Sequence, residues 1–119
     1  MTEDYNIRPA TQEDMVAIFG KLPPYSSRAM AVDYKDKLVC LAGVMYQPSS
    51  HMAFSVIVED IDAPKKLIWR GALELWEIIK TWEDTLYAVC DKKHPNSPNF
   101  LRRLGFQEVQ SGVFKWQIQ

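Results

Sequence analysis

The chain has 119 residues, 47% of them hydrophobic, and a formal net charge of −1. That length and apolar share suit one domain, residues 1–119, with a single core, and the near-neutral balance speaks against a nucleic-acid or membrane-surface protein. No apolar run approaches the ~20 residues of a membrane-spanning helix, and the opening MTEDYNIRPA is too acidic and polar for a signal peptide.

Tyr5–Ala10 reads as a first strand that ends at Pro9. Thr11 follows as an N-cap, with Glu13 and Asp14 in the first turn, where the helix dipole favours carboxylates. Met15, Ile18, Phe19 and Leu22 give that helix an apolar stripe, and Pro23-Pro24 is expected to stop it. Ala29–Tyr34 is a second strand, Lys35-Asp36 a tight turn, and Lys37–Tyr46 a third strand. The third strand's centre, Leu38 to Val44, is almost continuously apolar and so is expected to be covered on both faces. Gly43 within it signals a bulge or a close backbone approach. His51–Val58 is a fourth strand with Phe54, Val56 and Val58 on one face. A helix follows from about Lys65 to Trp82, burying Leu67/Ile68, Ala72, Leu75/Trp76 and Ile79 while Glu74, Glu77, Lys80 and Glu83 face water.

The most informative stretch is Thr85–Phe106. Thr85–Val89 is a strand of β-branched and aromatic residues. After a polar turn, Ser97 suits an N-cap and Pro98 the first helical position. Phe100, Leu101 and Leu104 make one side of a short helix apolar, and Gly105 ends it as a residue free to take a positive φ. Phe106–Val109 and Val113–Ile118 close the chain as a hairpin around Ser111-Gly112.

The run Phe100-Leu101-Arg102-Arg103-Leu104-Gly105-Phe106, following a strand and a turn, resembles the C-terminal half of the GNAT acetyltransferase superfamily. The opening Ile7-Arg8-Pro9-Ala10-Thr11, a strand feeding straight into a helix, resembles the way many such chains begin. The resemblance implies an α/β (α+β) fold with a mixed, mostly antiparallel central sheet of about six to seven strands and about three helices. The order is β-α-β-β-β-α-β-α-β-β.

The resemblance also implies where a cofactor would sit. In the family the fourth and fifth strands splay, the pantetheine arm of acetyl-CoA lies between them, and its diphosphate rests on backbone N–H groups at the start of the next helix. The family signature there, Q/R-x-x-G-x-G/A, falls on Lys66, Trp69 and Gly71, so a tryptophan replaces the first glycine. Lys65, Lys66, Arg70 and Gly71 are the candidate cofactor-binding residues, with Lys92, Lys93, Arg102 and Arg103 as further cations converging on the same place. The family's proton-donating tyrosine corresponds to Leu101, which has no proton to give, and the asparagine before that helix corresponds to His94. Glu59, at the end of the fourth strand, is the candidate general base if the chain is an enzyme.

The cysteines Cys40 and Cys90 read as buried thiols of a reducing compartment, and without a C-x-x-C or a His/Cys cluster no metal site is expected. His51 and His94 read as ordinary polar residues. The residues leave two main readings open, with a binder of another phosphorylated ligand between them. Trp69 and Leu101 resemble the worn motifs of small GNAT-like internal virion and head-assembly proteins of short-tailed bacteriophages. That reading is of a non-catalytic protein in the host cytoplasm or the virion, with a protein partner or a second copy of itself on an exposed Trp69. The alternative is an acetyl-CoA-dependent N-acetyltransferase acting on an amine, with an atypical diphosphate loop and acetyl-CoA or CoA as its cofactor.

Overall fold

A computed structural model describes residues 5–58, 65–89 and 97–118. The elements run β1 (Tyr5–Pro9), α1 (Gln12–Phe19), β2 (Ser27–Tyr34), β3 (Lys37–Gln47), β4 (Ser50–Ile57), α2 (Lys65–Ile79), β5 (Thr85–Val89), α3 (Ser97–Leu104), β6 (Gln107–Gln110) and β7 (Val113–Gln117). The strands form one seven-stranded sheet in the order β1-β2-β3-β4-β5-β7-β6. All neighbours are antiparallel except β4 and β5. This is the mixed architecture and the element order that the sequence implies.

The local signals explain most boundaries. The Thr11 hydroxyl accepts the Asp14 N–H at 3.1 Å, and the Asp14 carboxylate accepts the Thr11 N–H at 2.7 Å. This reciprocal cap satisfies two N–H groups that the start of α1 would otherwise leave bare. α1 stops earlier than expected. Gly20 takes a left-handed φ of 79° and donates its N–H to the Val16 carbonyl at 2.8 Å, so the glycine ends the helix before Pro23-Pro24 is reached. Leu22 therefore leaves the helical stripe and stands exposed. α3 ends as expected. Gly105 has φ 104°, with its N–H on the Arg102 carbonyl at 3.1 Å and that of Phe106 on the Leu101 carbonyl at 3.0 Å. Lys35 and Asp36, with φ of 51° and 65°, make the two-residue turn between β2 and β3.

Gly43 marks a close approach and not a bulge. A Cβ there would lie 2.6 Å from the Ala29 Cα and 2.8 Å from its Cβ, and closer still to the Arg28 carbonyl oxygen. The register shift between β2 and β3 lies instead at Val32/Asp33.

Helices cover both faces of β3. On one side Met15 and Ile18 of α1 pack on Ala31, Leu41 and Phe54. On the other side Leu75, Trp76 and Ile79 of α2 pack on Val32, Cys40, Ala42 and Val44, and the same core continues to Leu86, Phe106 and Phe114. Cys40 is a core residue, as expected, and burial pushes its thiol up to about 11, which keeps it protonated and unreactive. α2 ends at Ile79 and not Trp82, because the chain tightens there. The Thr81 and Trp82 N–H groups bond the Ile78 and Ile79 carbonyls at 3.1 and 3.0 Å, and the Thr81 hydroxyl donates to Ile78 at 2.6 Å. Among the described residues no helix is long and apolar enough to cross a membrane.

Candidate functional site

The centre of the sheet carries a discontinuity. β4 is paired with β3 along its whole length, from Ser50 opposite Gln47 to Ile57 opposite Cys40. β4 and β5, which run parallel, meet in the ladder only at Met52 opposite Tyr87. Beyond that point β4 continues to Ile57 and β5 to Val89 with no further pair between the two, so they open toward their C-terminal ends. Ile57 is 53% exposed and Val89 61% exposed, so each arm of the opening ends in an uncovered branched side chain. Parallel strands both lead to the same end of the sheet, and α2 and α3 both start there.

The start of α2 supplies charge. Lys65 and Lys66 are exposed in its first turn, which contains no acidic residue, and Arg70 is exposed one turn on. A helix leaves its first four N–H groups without internal acceptors. In α2 three of these positions, Lys65, Lys66 and Leu67, lie within the helix. Trp69 and Gly71 lie further in, within the second turn. Gly71 is buried, and a Cβ on it would meet the two Val32 methyls at 3.3 Å. Its lack of a side chain therefore lets α2 lie close on β2.

The Trp69 indole leaves α2 toward α3. Its ring centre is 4.9 Å from that of Phe100, with an interplanar angle of 62°, and the Arg103 guanidinium is 5.9 Å from it. Trp69 is still 39% exposed. The contact ties the starts of the two helices together at the open end of the strands. Leu101 is half-buried against the main core, so the position resembling the family tyrosine faces apolar neighbours. Arg102 leans away from Trp69, with its guanidinium 5.6 Å from the Phe114 ring and 3.3 Å from Glu108. Glu59, Cys90, Lys92, Lys93 and His94 lie outside the described residues. Among the described residues no three His, Cys, Asp or Glu side chains converge as a metal site.

No protein-family model matches the chain, and no curated protein matches it either. Solved structures do. The ribosomal-protein-S18-alanine N-acetyltransferase of Escherichia coli superposes with a TM-score of 0.69 at 14% identity, over 97% of this chain and 94% of that one. An N-acetyltransferase of Staphylococcus aureus gives 0.69 at 13% identity, over 97% and 99%. A putative acetyltransferase of Salmonella typhimurium, solved with its cofactor acetyl-CoA, gives 0.67 at 11% identity, over 98% and 95%. The chain has the GNAT fold.

Within that fold, three features were not evident from the residues alone. Phe100 reads locally as part of an apolar stripe, yet it receives Trp69 from another helix. His51, read as an ordinary polar side chain, pairs through Nδ1 with Glu83, which was expected to face water. Tyr87 carries Lys115 of β7 5.9 Å from its ring, on the strand pair that borders the opening. Each contact joins residues at least 28 apart in sequence, so no local spacing announces it.

Proposed function

We propose that this GNAT-fold chain is an acetyl-CoA-dependent N-acetyltransferase acting on an amine. The observation that carries the reading is the single parallel pair, Met52 with Tyr87, beyond which β4 and β5 open. A gap of this kind suits a thin pantetheine arm, whose amides alternate with short methylene links. Exposed Ile57 and Val89 offer it apolar contact, and unpaired main-chain groups of the open strands offer it hydrogen bonds. The N–H groups of residues 65–67, which have no acceptor within the helix, and Lys65 and Lys66 beside them, with no acidic residue in the first turn of α2, suit a diphosphate. Trp69 lies one turn further into the helix, where its ring packs against Phe100 of α3.

Acetyl-CoA would supply an acyl group already activated as a thioester. The chain then has to place an amine against that carbonyl and manage one proton. In this reading main-chain N–H groups of β4 polarise the carbonyl, and Glu59 takes the proton from the amine. Leu101 donates nothing, so the proton for the leaving thiolate comes from another group or from water.

Isothermal titration with acetyl-CoA tests the reading. Micromolar binding, weakened about tenfold or more in Lys66→Ala and Arg70→Ala, is the expected result, since a charge-assisted bond contributes roughly 1.5–3 kcal/mol. Absence of binding by the intact chain overturns it.

A second reading has its own observation. Leu101 stands where the resemblance puts a phenol, and Trp69 is an exposed indole, so a non-catalytic GNAT-fold protein that binds a protein partner or itself through Trp69 is the alternative. The structures named above are bacterial acetyltransferases and lend nothing to a role in phage head assembly. Failure to bind acetyl-CoA, together with self-association lost in Trp69→Ala, is the outcome that favours this alternative.

A further inference from the structure

The chain has four tryptophans, and three have an evident packing role. Trp76 is in the core, Trp116 packs edge-on against it, and Trp82 lies beneath the Arg28 guanidinium at 4.1 Å. Trp69 differs. Its indole is held in place by Phe100 from a second helix, yet it remains over a third exposed. Holding a large apolar ring in water costs free energy unless something covers it.

The surroundings say what the cover should be. Lys65 and Lys66 lie four and three residues before Trp69, and Leu73 four after it, so all share one helix face. Leu73 is exposed as well. Arg103 approaches the ring from α3 at 5.9 Å, the far limit of a cation–π contact, so its guanidinium is only weakly committed to the indole. An immobilised flat ring bordered by cations from two helices fits a ligand with a flat aromatic ring of its own and several negative charges. An acidic peptide would answer the cations but leave the indole bare. A nucleotide answers both, since base-on-aromatic stacking is worth about 1–3 kcal/mol and phosphates pair with Arg and Lys.

We propose that Trp69 is the stacking platform for the adenine ring of coenzyme A, with Arg103, Lys65 and Lys66 flanking it for the phosphates of the adenosine end. The proposal rests on the acetyl-CoA reading above and deepens it. The residue that breaks the glycine signature then becomes part of the cofactor site. Phe100 acts as the positioning residue that holds the indole edge between the helices.

The test compares coenzyme A, 3′-dephospho-coenzyme A, ADP and pantetheine by calorimetry and tryptophan fluorescence on the intact chain. Coenzyme A is expected to quench a part of the emission that Trp69→Phe lacks. Trp69→Ala is expected to bind coenzyme A about tenfold more weakly and pantetheine as the wild type does. Arg103→Gln is expected to lose affinity for coenzyme A and less for the 3′-dephospho form. Far-ultraviolet circular dichroism of each variant checks the fold, and the milder Trp69→Phe serves if Trp69→Ala unfolds. Wild-type binding of coenzyme A that Trp69→Ala and Trp69→Phe leave unchanged overturns this inference alone. ADP binding as tight as that of coenzyme A overturns the assignment to coenzyme A. Failure of the wild type to bind either coenzyme A or pantetheine overturns the acetyltransferase reading and this inference with it.

Discussion

Arg8 grips Asp14 with both terminal nitrogens, Nη1 to Oδ2 at 2.6 Å and Nη2 to Oδ1 at 3.0 Å, while its Nε holds Asp33 at 2.6 Å. One guanidinium thus joins β1, the capping turn of α1 and β2. The bond to Arg8, aided by the Thr11 N–H and hydroxyl and opposed by burial, draws the Asp14 carboxyl down to about 2. A carboxyl depressed in the folded state stabilises the fold above its unfolded pKa of about 3.9, and that contribution fades as pH falls toward 2. Asp14→Asn is expected to lower stability at neutral pH by ~2 kcal/mol. Urea melts at neutral pH and near pH 3 check this. The difference between wild type and variant should narrow at the lower pH, and an equal difference at both would place the loss elsewhere.

The two buried glycines should respond to alanine in different ways. At Gly43 the obstruction is backbone, the Ala29 Cα at 2.6 Å and the Arg28 carbonyl oxygen. Backbone inside a sheet cannot move aside cheaply, so Gly43→Ala is expected to cost more than ~2 kcal/mol. At Gly71 the obstruction is two Val32 methyls at 3.3 Å, which need shift only a few tenths of an ångström. An alanine inside a helix also gains up to about 1 kcal/mol over glycine. Gly71→Ala is therefore expected to stay within about 1 kcal/mol of the wild type, with Gly71→Val far worse. Chemical denaturation of the three variants distinguishes the sites.

These sites also show what the residues alone reveal. Gly43, inside an apolar strand, announced either a bulge or a close approach, and the nearby Ala29 backbone decides for the close approach. Gly105 announced a helix end because it follows Leu104 at the limit of an apolar stripe. For α1 the expected stop was Pro23-Pro24, but Gly20, free to take a positive φ, ends the helix first. The opening between β4 and β5 was implied by the family resemblance and not by any residue pattern. Parallel pairing joins segments some 35 positions apart, as Met52 and Tyr87 are, and periodicity reports only which face of a strand is buried. Trp69 with Phe100 and His51 with Glu83 were invisible for the same reason. Local pattern names a side chain's face, and topology decides which distant face it meets.

Tyr46 offers a check on the sheet's other end, where His51 packs edge-on against its ring at 4.9 Å and pairs with Glu83. Burial first, and the negative charge of Glu83 second, raise the Tyr46 phenol above its ordinary value, with Arg28 opposing. A phenol raised in this way stabilises the fold below the unfolded pKa of about 10 and loses that contribution as pH rises through the folded value. Glu83→Gln is expected to move the Tyr46 titration downward and Arg28→Gln to move it upward. Ultraviolet titration, with Tyr46→Phe to identify the signal, reads both shifts. Movement in the same direction in both variants would refute the arrangement.

Trp76 carries the packing between α2 and the far half of the sheet. It is 8% exposed, with ring centres of Phe106 and Trp116 both 5.2 Å away, and it meets Trp116 at 85°. Each ring comes from a different element, so the cluster fixes how α2 sits over β7 and over the turn that follows α3. Removing the central ring leaves a cavity bounded by two others that are themselves anchored, which leaves little room for collapse. Trp76→Ala is therefore expected to cost about 3–5 kcal/mol, and Trp76→Phe less, because it keeps an aromatic ring in the same slot. The nearly perpendicular pair should also give a near-ultraviolet circular dichroism band that Trp76→Phe and Trp116→Phe each abolish and Trp69→Phe leaves intact. A band that survives either of the first two variants would mean that these rings do not pack edge to face in solution.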